Sequence, residues 1–176
     1  MKRVHYFTGQ LLSAADFQAE QEYHLARQRR LNLRLHGMGI VSGLQVSTEN
    51  DGIGIHVSPG VAIDPLGNEI VVGEPQVVPF PTGADRADLV IYHIETLTDP
   101  VPSNDAPQPS RVEEGFRLEV VTDPESRSSE CLILARLAFD GGRWTVRRPF
   151  HPFFKCAVVA LVTAVLCRQL QSPRRR

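Results

Sequence analysis

Cysteine is scarce in this 176-residue chain, and the three present (Cys131, Cys156 and Cys167) are an odd number with no Cys-x-x-Cys pair. That spacing excludes a disulfide framework and a cysteine zinc site. Cys131 lies in an apolar run and is expected as a buried thiol in a reducing compartment. Aromatic residues make up 7% of the chain, and no aromatic sheet face interleaved with basic residues is visible. An RNA-binding platform of that type is therefore not expected. The net charge of −1 gives no overall pull toward nucleic acid, so no nucleic-acid partner is expected. No P-loop and no Gly-x-Ser-x-Gly elbow occurs. Gly52-Ile53-Gly54 lacks the strand-to-helix context of a dinucleotide fingerprint. The six histidines form no His-x-His or His-Glu-x-x-His spacing. The expectation is thus no catalytic residue, no metal and no cofactor. The opening MKRVHYFTGQLL has two basic residues but no apolar core of signal-peptide length, which predicts a cytoplasmic protein.

What is present fits an ordinary globular domain with a tail. Hydrophobic residues are 42% and charged residues 22%, which is normal for soluble proteins. The charge is divided along the chain. Residues 1–36 balance at +3, residues 37–146 at −11 and residues 147–176 at +7. An acidic body with basic ends suggests complementarity within the fold or between copies, or a nucleic-acid-binding arm; the first reading is preferred.

Local patterns divide the chain into an extended arm (1–12), a helix (13–36), an antiparallel β-domain (37–149) and an apolar, basic tail (150–176). Ser13 and Asp16 form a capping-box pattern. From residue 14 to about residue 35 strong helix formers dominate without Gly or Pro, and Gly37 and Gly39 supply the stop. The helix is polar. Its row Phe17, Gln21, His24, Gln28, Leu31, Leu35 is apolar only at the ends, and arginines cluster in its second half. Such a helix is weakly held by its own core. It is either a solvated cover or an element between subunits, where arginine is favoured.

From residue 39 the period changes to two. A strand is expected over 39–47, a turn at Asn50-Asp51-Gly52, and then the stretch HVSPGVAIDPLGNEIVV (56–72). Its turns fall at Ser58-Pro59-Gly60 and at Pro65-Leu66-Gly67-Asn68. Gly37, Gly43, Pro59, Gly60, Asp64 and Gly67 are read as structural turn positions. Further strands are expected at 76–80, 88–97, 113–122 and 130–139, with a terminal hairpin through Asp140-Gly141-Gly142. Residues 98–110 read as a long Pro/Ser/Asn/Asp loop, a length that is usually functional or disordered. The fold class is α+β, mostly β: one long helix followed by an antiparallel sandwich or partly open barrel. Asp64, Glu69, Glu113, Glu114 and Asp123 read as exposed turn and strand charges rather than paired acid–base groups.

The tail contains a twelve-residue apolar run, CAVVALVTAVLC (156–167), short of the about 20 residues that span a bilayer. It is expected as a short apolar helix buried against a partner. A tail-anchored, membrane-docking segment is the alternative, and its basic end suits an anionic leaflet.

Phe7, Gly9–Leu12, Asp16-Phe17, Gln21 and Tyr23, Leu35-His36-Gly37, Gly39–Leu44 and the PGVAIDPLGNEI run (59–70) together resemble a family of small proteins found with phage-like, extracellular contractile injection systems. LILARLAFDGGRW (132–144) fits the same pattern. The resemblance spans residues 4–146. It implies a non-enzymatic structural component of a tail-like particle, in a baseplate, fibre-attachment or accessory position. Its implied partners are other particle subunits (baseplate, sheath, tube or fibre proteins), met in many copies. The candidate partner-binding residues are Tyr6, Phe7, Gln10, Arg27, Arg30 and Arg34, with Phe153, Phe154, Val158, Leu161 and Leu166 of the tail. A receptor- or carbohydrate-binding adhesin, with specificity in the 98–110 loop, is the alternative from another class.

Overall fold

The computed structural model describes residues 2–48, 54–103 and 106–149. The expected turn at Asn50-Asp51-Gly52 and the tail, with Phe153, Phe154, Val158, Leu161 and Leu166, lie outside these residues. One helix, α1 (Ala14–Leu31), is followed by strands β1 (Gly39–Gly43), β2 (Val46–Ser47), β3 (Ile55–Val57), β4 (Gly60–Ile63), β5 (Glu69–Val72), β6 (Gln76–Val78), β7 (Arg86–Val101), β8 (Gln108–Val121), β9 (Leu132–Asp140) and β10 (Arg143–Pro149). The expected mostly-β class with antiparallel sheets after one helix is what the chain forms. The sheet orders are β1-β4-β5, β2-β3-β6 and β10-β9-β7-β8, and one sheet curls into a half-barrel.

The expected strand over 39–47 is two strands in two sheets. Its continuity fails at Leu44, whose φ is +51°. There the chain leaves the β1-β4-β5 sheet for the β2-β3-β6 sheet, and the returning chain makes the same transfer between β3 and β4. The two crossings lie side by side. Gly43 pairs with Gly60, the Leu44 amide donates to the Pro59 carbonyl at 3.2 Å, and the Ser58 amide donates to the Gln45 carbonyl at 3.0 Å. The Ser58 hydroxyl accepts from the Gln45 amide at 2.9 Å. No side chain fits between the crossings. A Cβ on Gly43 would sit 1.9 Å from the Pro59 carbonyl oxygen, and one on Gly60 would sit 2.3 Å from that of Ser42.

The core is one cluster fed by all three sheets. Ile40, Leu44, Ile55, Val57, Ile70, Val72, Leu89, Ile91, Leu134 and Trp144 meet within it. Leu44 is 1% exposed although its backbone is in a left-handed conformation, so burial holds it there against the usual steric cost. Trp144 stacks on Phe80 with ring planes 7° apart. A smaller cluster of Val90, Val121 and Cys131 fills the other face of the β7–β9 pair. Burial pushes the Cys131 thiol above its ordinary pKa, with Arg127 acting against it.

The expected 98–110 loop is in part strand: β7 extends to Val101 and β8 starts at Gln108, with Pro100 facing Pro109. β9 pairs β7 only from Arg86 to Ile91. Beyond it both strands have a free outer edge, where a residue lacking an N–H is tolerated. Composition suggested a loop because prolines dominate the stretch, but their edge position makes them compatible with a hairpin.

Replacing Gly60 with Ala is expected to destabilise the fold by about 3 kcal/mol or more, at the top of the range for single substitutions, because backbone rather than a flexible side chain blocks the new Cβ. Urea unfolding followed by Trp144 fluorescence measures this. A midpoint equal to that of the parent protein would refute the close-packed crossing.

Candidate functional site

Helix α1 begins as its sequence predicts. Ser13 Oγ accepts from the Asp16 amide at 3.3 Å, and Asp16 Oδ2 accepts from the Ser13 amide at 2.9 Å. The Ser13 amide first, and then the Ser13 hydroxyl, which donates to Oδ2 at 2.7 Å, hold the Asp16 carboxyl below its ordinary pKa. The helix reaches its expected end at residue 36 but changes winding on the way. α-Helical bonding stops at Leu31, and Asn32–His36 form a wider turn closed by the Gly37 amide on the Asn32 carbonyl at 2.9 Å. Gly37, at φ +78°, completes the stop. Wider turns of this kind occur where a side chain has a task outside the helix.

That side chain is Asn32. Its Nδ2 donates to the Gly67 carbonyl at 2.9 Å, joining the end of α1 to the β4–β5 turn. Asp64 builds that turn. Its Oδ1 accepts from the Leu66 and Asn68 amides at 2.8 Å each, and its Oδ2 accepts from Asn68 Nδ2 at 2.7 Å. Asp64 is 2% exposed, which corrects the reading of it as a surface charge. Three hydrogen bonds satisfy its carboxylate, as burial requires. Gly67 has φ +89°, and a Cβ there would lie 2.3 Å from the Arg29 carbonyl oxygen. Helix backbone and turn backbone are therefore in direct contact. Arg29 Nη2 also reaches Glu95 Oε1 on β7 at 2.9 Å.

The seat fixes the C-terminal end of a helix that buries none of its 18 residues. Beneath it lies a hollow of about 80 Å³ lined by Gln28, Arg29, Asn68, Glu69, His93 and Glu114, among others. His93 Nε2 faces Glu114 Oε2 at 4.0 Å. The arm folds against the other end of the helix. The Tyr6 hydroxyl donates to Glu20, a bond that raises the phenol's pKa.

The candidate partner-binding residues separate into three kinds. Phe7 is exposed, as are Leu11, Leu12 and Phe17 beside it. Tyr6 is used to tie arm to helix. Gln10 closes a turn, its Oε1 accepting from the Phe7 amide at 3.3 Å. Arg27, Arg30 and Arg34 lie on the exposed side of the helix. Asn32 and Glu95 were not singled out from sequence; Glu114 was read as an exposed strand charge, His93 as one of six histidines without ligand spacing, and Arg29 only as one of the arginine cluster. A second exposed apolar strip, Leu97 and Val112, continues along the β7–β8 hairpin past the core.

A broad groove of about 1070 Å³ on the outer face of β7 and β9 holds several charges. They largely compensate each other. Asp88 pairs with Arg127 at 2.8 Å and Arg136 at 3.6 Å, and Asp140 pairs with Arg147 at 2.9 Å. Compensated charge offers little to an ionic ligand. Asp64 is bound into its turn, and His56 lies on β3, in a different sheet from His93 on β7.

Gly67→Ala is expected to lift α1 from its seat while leaving the core intact. Limited proteolysis should then cut within residues 14–36 faster, with Trp144 fluorescence unchanged; equal cutting rates would refute the seat. Protonation of Asp16 acts at the other end. Its lowered pKa means that the cap is intact above the ordinary carboxylate value of about 3.9 and is lost as pH falls through the lower, folded value. Amide chemical shifts of residues 14–17 should be constant down to about pH 5 and change only below the ordinary value. A transition above it would contradict the assignment.

No protein-family model matches the sequence, and a search of curated proteins finds no relative. Solved structures do match. A chain of the type VI secretion system TssK-TssF-TssG baseplate subcomplex aligns over 97% of this chain and 69% of its own length, with a TM-score of 0.55 at 15% identity. A crystal structure of TssK aligns over 99% of this chain and 51% of its own, with a TM-score of 0.49 at 14% identity. The baseplate complex from the type VI secretion system aligns over 100% and 70%, at 0.44 and 17%. The first of these shows that the chain shares its fold with a chain of the type VI secretion system baseplate subcomplex.

Proposed function

We propose that this chain is a non-enzymatic structural subunit of the baseplate of a phage-tail-like contractile particle, acting through protein–protein contacts. The observation that carries the proposal is the helix: α1 buries none of its residues, while Phe7 and Leu11 beside it are 65% and 95% exposed. A lone surface apolar residue needs no explanation, but an arm and helix lined with them mark a surface meant to be covered. The fold shared with a baseplate chain supports this reading, as does the sequence resemblance to proteins of contractile injection systems. The partners are neighbouring particle subunits. Among the described residues, no helix is long and apolar enough to cross a membrane.

The test is imaging of particles from cells lacking this chain, complemented by the parent protein or by a Phe7→Ser, Leu11→Ser double variant. Both side chains are exposed, so the double variant should fold with stability within about 0.5 kcal/mol per site of the parent. It should nevertheless fail to restore the baseplate density that the deletion removes. Particles that are complete without the chain, or fully restored by the double variant, would overturn the proposal.

A further inference from the structure

Three ligand-type side chains meet under the helix seat, and only Glu95, through Arg29, has a part in holding the fold. His93 and Glu95 are on β7, and Glu114 is on β8. One ligand atom from each lies within 4.8 Å of the other two. Glu95 and Glu114 are directly opposed across the strand pair, where like charges repel. Arg29 occupies one oxygen of Glu95 at 2.9 Å, which offsets part of this repulsion and leaves that carboxylate a second oxygen.

His93 supplies the independent observation. Its side chain is only 8% exposed, and Glu114 is its ion-pair partner. Its Nε2 stands 4.0 Å from Glu114 Oε2, beyond hydrogen-bond length. The ring opens on the hollow of about 80 Å³ that it shares with Glu114 and Glu69, enough for a cation and accompanying water.

We propose that His93, Glu95 and Glu114 bind a divalent transition-metal cation of the zinc class. One imidazole nitrogen with two carboxylate oxygens is a three-ligand set that leaves a further position for solvent. The imidazole selects against magnesium and calcium, which take all-oxygen shells. Bonds of about 2.0–2.2 Å bring ligand atoms to about 3.3 Å from one another, so the present spacing must contract. The two glutamates can supply the movement, being 44% and 61% exposed at the side chain, while His93 is the fixed anchor. The cation neutralises the opposed carboxylates and, through Glu95, shares a ligand with Arg29. It thereby ties the β7–β8 hairpin to the helix seat. This inference does not rest on the proposed baseplate role.

The test is titration of the untagged, chelator-treated full chain with zinc chloride, and with cobalt(II) as a spectroscopic probe. One saturable zinc site and a cobalt absorption band are expected, with a rise in Tm on adding zinc. Glu114→Gln, an exposed and nearly isosteric change, should weaken zinc binding by about tenfold or more, a loss comparable to removing a metal-site partner. It should also abolish the rise in Tm. His93→Asn should do the same. A variant with all three cysteines changed to serine should bind zinc as the parent does. Absence of saturable binding, full binding by Glu114→Gln, or loss of binding only in the cysteine variant would each overturn the site.

Discussion

The architecture depends on two backbones passing without side chains between them. Where Gly43 and Gly60 meet, two adjacent strands leave one sheet and enter another, and the nearest carbonyl would be 1.9 Å and 2.3 Å from any added Cβ. This crossing lets three small sheets share one hydrophobic cluster. Without it, β1 and β2 would continue as one strand, and Leu44 would not reach the core. Burial of a leucine contributes about 1.5–3 kcal/mol, which is of the order needed to hold its backbone in the left-handed region.

The helix is held by a different kind of force. Its contacts with the β-domain include a partly exposed ion pair, Arg29 to Glu95, one amide-to-carbonyl bond, Asn32 to Gly67, and the close approach of the Arg29 and Gly67 backbones. Exposed ion pairs contribute about 0.2–1 kcal/mol and a hydrogen bond about 0.5–1.5 kcal/mol. A helix seated by so little is positioned rather than locked. It keeps its outer face available while its C-terminal end stays in register with the β4–β5 turn. That division suits a subunit whose rigid β-body carries an arm and helix outward to a neighbour.

Much of this fold is legible in the residues. The capping box at Ser13 and Asp16, the turn at Asp64–Asn68 and the Gly141-Gly142 hairpin all follow from local chemistry, since each is closed by atoms only a few positions apart. The polar row of α1 correctly signals a helix without a buried stripe. Besides the burial of Asp64, two strand features read wrongly. The proline-rich 98–110 segment looks like a loop because proline blocks a ladder in general, and only the sheet order shows that these prolines lie on free edges. The 39–47 alternation looks like one strand because periodicity carries no information about which sheet a residue joins.

The candidate site is less legible. His93, Glu95 and Glu114 are unremarkable in sequence, and their meeting depends on the register in which β7 and β8 pair. Strand periodicity, turn chemistry and helix capping are short-range, so the order of amino acids alone determines the elements and the absence of any recognisable catalytic motif. Which glycines are pressed against backbone, which acid is buried and which charges share a hollow depends on contacts between residues 13 to 66 positions apart. Those contacts exist only once the sheets have closed on one another, and that is why tertiary structure alone decided them.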